Sequence, residues 1–95
     1  MYKAKLSFWG EDKGGRITPP QTGYRPQIEI EDVHTSCTVT AIDNTVTVFD
    51  FDIEYVVKLD LMFKEMYGGK LKVGDSVKLY EGNKQIAEGI VIEEL

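Results

Sequence analysis

The sequence predicts an all-β fold, a small six-stranded antiparallel β-barrel, and three observations carry that prediction. Apolar residues recur with a period of two in most segments, the pattern of strands with one buried face, and helical spacing is nowhere sustained. Glycine, proline, Asp and Asn punctuate these segments at regular intervals. At 95 residues the chain is too short for two full sheets, and closing one sheet on itself removes edges that invite aggregation. Residues 1–95 therefore read as one domain, without internal repeat or linker.

The elements follow in order. In Tyr2–Phe8, Tyr2, Ala4, Leu6 and Phe8 share one face and Lys3, Lys5 and Ser7 the other, which makes a first strand. Residues 9–26 hold Gly10, Gly14, Gly15, Pro19, Pro20, Gly23 and Pro26, so this stretch reads as a long loop, the first place to look for a site. Strands are expected at Gln27–Glu31 and Thr35–Ile42. Asp43-Asn44 is expected to turn the chain into Thr45–Phe51, whose Thr, Val and Phe content favours a hairpin partner. The longest strand signal is Tyr55–Phe63, with Tyr55, Val57, Leu59, Leu61 and Phe63 inward. Gly68-Gly69 ends it as a turn. Ser76–Tyr80 and Gln85–Glu93 follow, joined by Glu81-Gly82-Asn83-Lys84, with Ile86, Ile90 and Ile92 on one face of the last strand. About six strands and no helix are expected from these segments.

Composition excludes several functions. The formal net charge is -5, from 11 Lys+Arg against 16 Asp+Glu, which opposes nonspecific nucleic-acid affinity and argues against DNA as a partner. That charge is segregated: residues 1–25 carry five basic and two acidic residues, residues 26–54 seven acidic and none basic. The cationic candidate surface is therefore the glycine- and proline-rich loop, with Lys13, Arg16 and Arg25. One cysteine, Cys37, permits no internal disulfide and suits a reducing, cytoplasmic setting. The alternating N-terminus is unlike a secretory signal, and no apolar run approaches the ~20 residues of a membrane span.

No catalytic constellation emerges. Gly68-Gly69-Lys70-Leu71 lacks the hydroxyl residue, spacing and following helix of a phosphate-binding loop. His34 and Cys37 offer two metal ligands where a tetrahedral site needs four, and as a base and nucleophile they would point to opposite faces of a strand. Cys37 is expected in the core and His34 in a loop. Asp50 and Asp52 have same-face spacing but no pocket to raise one pKa, so they read as a polar turn. The expectation is a non-enzymatic protein without cofactor or metal.

The loop carries the most specific signal. Gly14-Gly15-Arg16-Ile17-Thr18-Pro19 and Gly23-Tyr24-Arg25-Pro26-Gln27 resemble, ungapped over residues 14–27, the opening of the C-terminal β-barrel, the third domain, of translation elongation factor Tu. That family carries Gly-Gly-Arg-His-Thr-Pro and Gly-Tyr-Arg-Pro-Gln at the same separation. Glu81-Gly82 through Gly89-Ile90-Val91 resembles the family's C-terminal Glu-Gly-Gly-Arg-Thr-Val-Gly-Ala-Gly-Val-Val. Residues 32–70 match in strand pattern alone. Ile17 stands where the family has His, and Asn83-Lys84 where it has Gly-Arg.

The resemblance implies a six-stranded antiparallel barrel standing alone, without the GTPase domain and second barrel of the full factor. In the family this domain holds the T stem of aminoacyl-tRNA by its backbone and contacts the exchange factor and GTPase domain. Carried over, Arg16 and Gln27 match positions that approach the tRNA, and Gly82 matches a turn near the same backbone. Lys13, Tyr24 and Arg25 complete the candidate surface. A second reading of the same residues is structural: Gly14 and Gly15 adopt positive φ, Pro19, Pro20 and Pro26 fix φ, Tyr24 packs beneath the loop, and Arg25 pairs internally. Two functions remain open: a module that binds a translation factor or a protein docking on one, in a decoy or immunity-type role, and weak tRNA or RNA-backbone binding through the Gly-Gly-Arg loop. Trp9, Ile17 and Tyr24 are expected either to form an exposed apolar patch or to cover the barrel end.

Overall fold

Six strands form where the period-two pattern places apolar side chains on one face, and all 95 residues are described by the computed structural model. The strands are β1 (Tyr2–Phe8), β2 (Gln27–Ile30), β3 (Val33–Ala41), β4 (Glu54–Leu61), β5 (Ser76–Glu81) and β6 (Lys84–Glu94). They close into a barrel in the order β1-β4-β3-β2-β5-β6, every neighbouring pair antiparallel. The six-stranded antiparallel barrel read from the sequence is therefore the fold. The core is built from alternate residues of each strand: Ala4, Leu6 and Phe8 from β1, Cys37 and Val39 from β3, Val57 and Leu59 from β4, all buried. No helix is long and apolar enough to cross a membrane.

The two barrel ends are closed differently. At one end Phe49 is fully buried, stacked on Phe8 at a centroid distance of 4.9 Å and edge-on to Tyr55 at 5.2 Å. At the other, a single helical turn, α1 (Lys64–Tyr67), leads to buried Leu71, and the Tyr2 hydroxyl donates to the Gly68 carbonyl.

Several expectations are corrected. Thr45–Phe51 is not the hairpin partner of β3; β3 pairs with β4, Val39 opposite Leu59. The reason is local capping followed by long-range capture. Asp43 accepts hydrogen bonds from the Thr45 amide and hydroxyl at 2.9 and 2.7 Å, which turns the chain out of the sheet. The Phe49 amide then donates to Pro20 and the Thr22 amide to Thr47, at 2.8 and 3.0 Å, so the segment lies against the long loop. The chain is not free of helix, because α1 and a 3-10 turn at Glu11–Lys13 both form. Gly68, with φ of -58°, continues the α1 turn and makes no hairpin. Phe63 does not face inward: β4 ends at Leu61, and Phe63 is 51% exposed beside α1.

Two more corrections concern strand ends and faces. Glu31 belongs to the β2–β3 turn, where it and Asp32 take positive φ (49° and 68°), the geometry of a two-residue hairpin. On β6, Ile86 is an extra residue between the Leu79–Ala87 and Tyr80–Gln85 pairs, a β-bulge. Ile86 and Ala87 are consequently both buried, and the inward face passes to Gly89 and Val91, leaving Ile90 outside. Cys37 is in the core as expected. His34, however, lies on β3, its ring stacked on Tyr80 at 4.3 Å and its Nε2 3.5 Å from a Glu29 carboxylate oxygen.

Candidate functional site

The loop that carries the sequence motif is ordered by backbone geometry before any side chain acts. Trp9 leaves β1 with its amide bonded to the Ile86 carbonyl at 2.8 Å. The chain then turns on itself: the Gly15 amide donates to Gly10 at 2.8 Å and the Arg16 amide to Trp9 at 2.9 Å. Gly14 adopts φ of 79°, and at Gly15 any Cβ would overlap the Trp9 carbonyl. Both glycines of the motif are thus required, one for its left-handed backbone and the other for close approach.

Arg16 emerges from this turn into a three-residue cluster. Its Nε donates to the Thr18 carbonyl at 3.0 Å, and its Nη1 donates to the Tyr24 hydroxyl at 3.2 Å and pairs with the Glu81 carboxylate. The guanidinium carbon lies 4.8 Å from the centre of the Tyr24 ring. The Tyr24 hydroxyl in turn donates to Glu81. Tyr24 packs edge-on to Phe8 at 6.3 Å, which anchors the cluster to the core. Burial and then the Glu81 hydrogen bond raise the Tyr24 pKa above the ordinary phenol value, so the hydroxyl stays a donor. Glu81 stands at the end of β5, followed by Gly82 at φ of 61°, which makes the tight turn into β6.

The structure thus brings Arg16, Tyr24 and the Glu81-Gly82 turn together. Gln27 joins the neighbourhood from β2, where it lies opposite Tyr80 of β5 and Ser36 of β3. Lys13 and Arg25 make no polar contact with the cluster. Lys13 pairs with Asp52 at 2.7 Å, and that hydrogen bond raises its pKa. The expectation that Arg25 pairs internally is not met: it is exposed and has no ion-pair partner. An open depression of about 400 Å³ runs over the motif, lined by Arg16, Thr18, the prolines 19 and 20, and residues 21–24. Trp9 and Tyr24 are half-buried, Tyr24 packed against the core at the barrel end, whereas Ile17 stands 74% exposed.

Charge is distributed otherwise than the sequence suggests. Two of the three loop cations are neutralised by Asp52 and Glu81, so the loop is not the main cationic surface. Glu81 itself was not a candidate; its pairing with Arg16 spans 65 positions. The signal available for it was its place beside Gly82 in the second family-like segment. A comparison with protein-family models and with curated proteins finds no match to this chain.

Proposed function

We propose that the chain is a non-enzymatic binding module, resembling the third domain of elongation factor Tu, that engages a protein partner in the cytoplasm. The partner class is a translation factor or a protein that docks on one, in a decoy or immunity-type role connected with translation. The observation that carries this reading is the internal neutralisation of Arg16 by Glu81, with the Tyr24 hydroxyl bonded to both. A guanidinium committed to a carboxylate is a poor phosphate ligand, because an incoming phosphate must displace that carboxylate. What the motif presents instead is a fixed shape, which suits recognition by a folded protein. The same cluster supports a non-enzymatic role: its one proton-bearing hydroxyl is held protonated and bonded.

The test is affinity purification from the native host with washes at about 1 M salt, where the Debye length falls to ~3 Å and phosphate contacts are lost. A stoichiometric protein that stays bound is the expected result. Recovery of RNA alone at low salt would overturn it in favour of the second reading, weak tRNA or RNA-backbone binding. That reading is favoured by exposed, unpaired Arg25 beside Gln27. It predicts that Arg25→Ala and Arg16→Ala each weaken low-salt binding of aminoacyl-tRNA.

A further inference from the structure

Strand β3 ends in a turn that folds back beside its neighbour β4 and builds a pocket on the outside of the barrel. Past the last ladder pair, Ala41 opposite Val57, the Ile42 amide still donates to the Val56 carbonyl at 3.2 Å, which sets Ile42 and Val56 side by side on the outer face. The chain then turns: the Val46 amide donates to the Asp43 carbonyl at 3.1 Å, and Asp43 Oδ1 accepts from the Thr45 amide and hydroxyl. Val46 is thereby packed against the core. The resulting depression of about 320 Å³ is walled by Ile42, Val46 and Val56. Ile42 and Val56 remain 43 and 38% exposed, so water touches apolar surface here that a ligand would cover.

The charged residues lining this pocket are two acids, Asp43 and Glu54. Glu54 precedes Val56 by two residues on β4 and shares its outer face, ~7 Å away. Of the seven acids of residues 26–54, Glu31 and Asp52 pair with Lys70 and Lys13 and Glu29 faces His34, which leaves Asp32, Asp43, Asp50 and Glu54 without a partner. Two of these four carboxylates meet at one apolar pocket. Thr45 takes a single oxygen of Asp43, Oδ1, so Oδ2 is free for a ligand. The Thr45 hydroxyl and amide bonds also hold the Asp43 carboxyl below its ordinary pKa, which keeps it ionised. Lys5, opposite Val56, and Lys58, two residues further along β4, neither line the pocket nor pair with either acid.

We infer that this pocket takes an arginine side chain presented by the partner protein, its methylene stem on Ile42, Val46 and Val56 and its guanidinium between Asp43 and Glu54. The inference deepens the protein-binding reading above and rests on it. Apolar walls with carboxylates at the rim match a side chain that is apolar along its stem and cationic at its tip. Arginine fits better than lysine, because its five donors form a fixed fork that serves two carboxylates at once. It is also more weakly hydrated than an ammonium, so it loses less on leaving water beside aliphatic walls. The two acids repel one another and repel phosphate alike, which favours a cationic protein segment over RNA at this place. Because the turn is held by its own hydrogen bonds, the pocket is formed before the ligand arrives and little ordering cost attends binding.

The probe is N-acetylarginine N-methylamide, titrated into the full chain and followed by NMR shifts of the Ile42, Val46 and Val56 methyl groups. Saturable shifts confined to these residues and their neighbours are expected. The citrulline analogue, alike in shape and neutral, should bind about ten-fold more weakly or worse, and the lysine analogue about three-fold more weakly. Asp43→Asn and Glu54→Gln should each cost the arginine compound about three-fold or more. Asp43→Asn keeps an acceptor for Thr45, and Glu54→Gln touches no hydrogen bond of the turn, so an unchanged melting temperature in either separates lost charge from lost fold. Equal binding of the arginine and citrulline compounds, lysine binding as tight as arginine, shifts centred on the Arg16 loop, or shifts of these methyl groups by single-stranded RNA alone would overturn the inference. The Asp43→Asn/Glu54→Gln variant should also retain several-fold less of the co-purified host protein. Undiminished retention would overturn the inference while leaving the binding-module reading intact.

Discussion

Arg16 and Glu81 form an ion pair across 65 positions of sequence that ties the glycine-rich loop to the β5–β6 turn. Their side chains are 22 and 34% exposed, so the pair lies between a surface salt bridge and a buried one. A double-mutant cycle with Arg16→Ala and Glu81→Ala is expected to give a coupling of about 1 kcal/mol by urea denaturation. Glu81→Ala should cost more than Arg16→Ala, since it also removes the acceptor of the Tyr24 hydroxyl.

Glycines supply a graded series. At Gly89 a Cβ would overlap the Lys5 carbonyl on the neighbouring strand, and at Gly15 the Trp9 carbonyl. Both obstacles are backbone, which cannot swing aside. Gly89→Ala and Gly15→Ala are expected to lose about 3 kcal/mol or fail to fold. Gly14→Ala meets open space but keeps φ of 79°, a cost of about 1 kcal/mol. Gly69→Ala, with open space and no positive φ, should be neutral. Thermal melts of the four variants check the order.

Phe49 lies outside every strand yet is fully buried between Phe8 and Tyr55. Phe49→Ala should therefore destabilise by about 3–5 kcal/mol, as for a core aromatic. Val48→Ala, one residue away and 37% exposed, should cost under about 1 kcal/mol. Comparable losses at the two positions in chemical denaturation would refute the assignment of Phe49 as a plug.

Burial pushes the Cys37 thiol up to about 12 from an ordinary 9.0, and burial also raises Tyr24. A raised folded-state pKa means that the fold favours the neutral form. This contribution is complete below pH 9, the unfolded thiol value, and is lost as pH rises from there toward 12. The alkaline limb of a stability-pH curve should accordingly flatten in Cys37→Ala between pH 9 and 12. In the native protein at pH 8, a thiol-specific disulfide reagent should label Cys37 only on unfolding, since the thiol is 2% exposed.

Much of the barrel was legible because alternation reports which face of a strand is buried. Tyr2–Phe8 came out with its bounds and inward set unchanged. The failures share one cause. Thr45–Phe51 has strand-forming residues, but a strand needs a partner, and Asp43 turns this segment away while Pro20 and Thr22 bond it elsewhere. Ile86, Ile90 and Ile92 share a parity that two register shifts break, one at Ile86 against β5 and one at Ile92 against β1. In the candidate site, the left-handed backbone of Gly14 was readable from the motif, whereas Gly15, expected at positive φ as well, does not adopt it and is required by its close approach to the Trp9 carbonyl. The neutralisation of Arg16 was not readable, since no local pattern connects it to Glu81.

The sequence by itself determined the fold class, most strand positions, the burial of Cys37 and the special backbone of the loop. Each depends on neighbours a few residues away, through pleat, turn chemistry and steric limits on φ. Tertiary structure alone decided which strands adjoin, and with that where charge acts. Closure places β1 beside β4, so that Lys3 meets Lys58 while the loop cations Lys13 and Arg16 meet Asp52 and Glu81. Coulomb interactions follow distance in space, and the order of residues along the chain does not encode that distance until the sheet has closed.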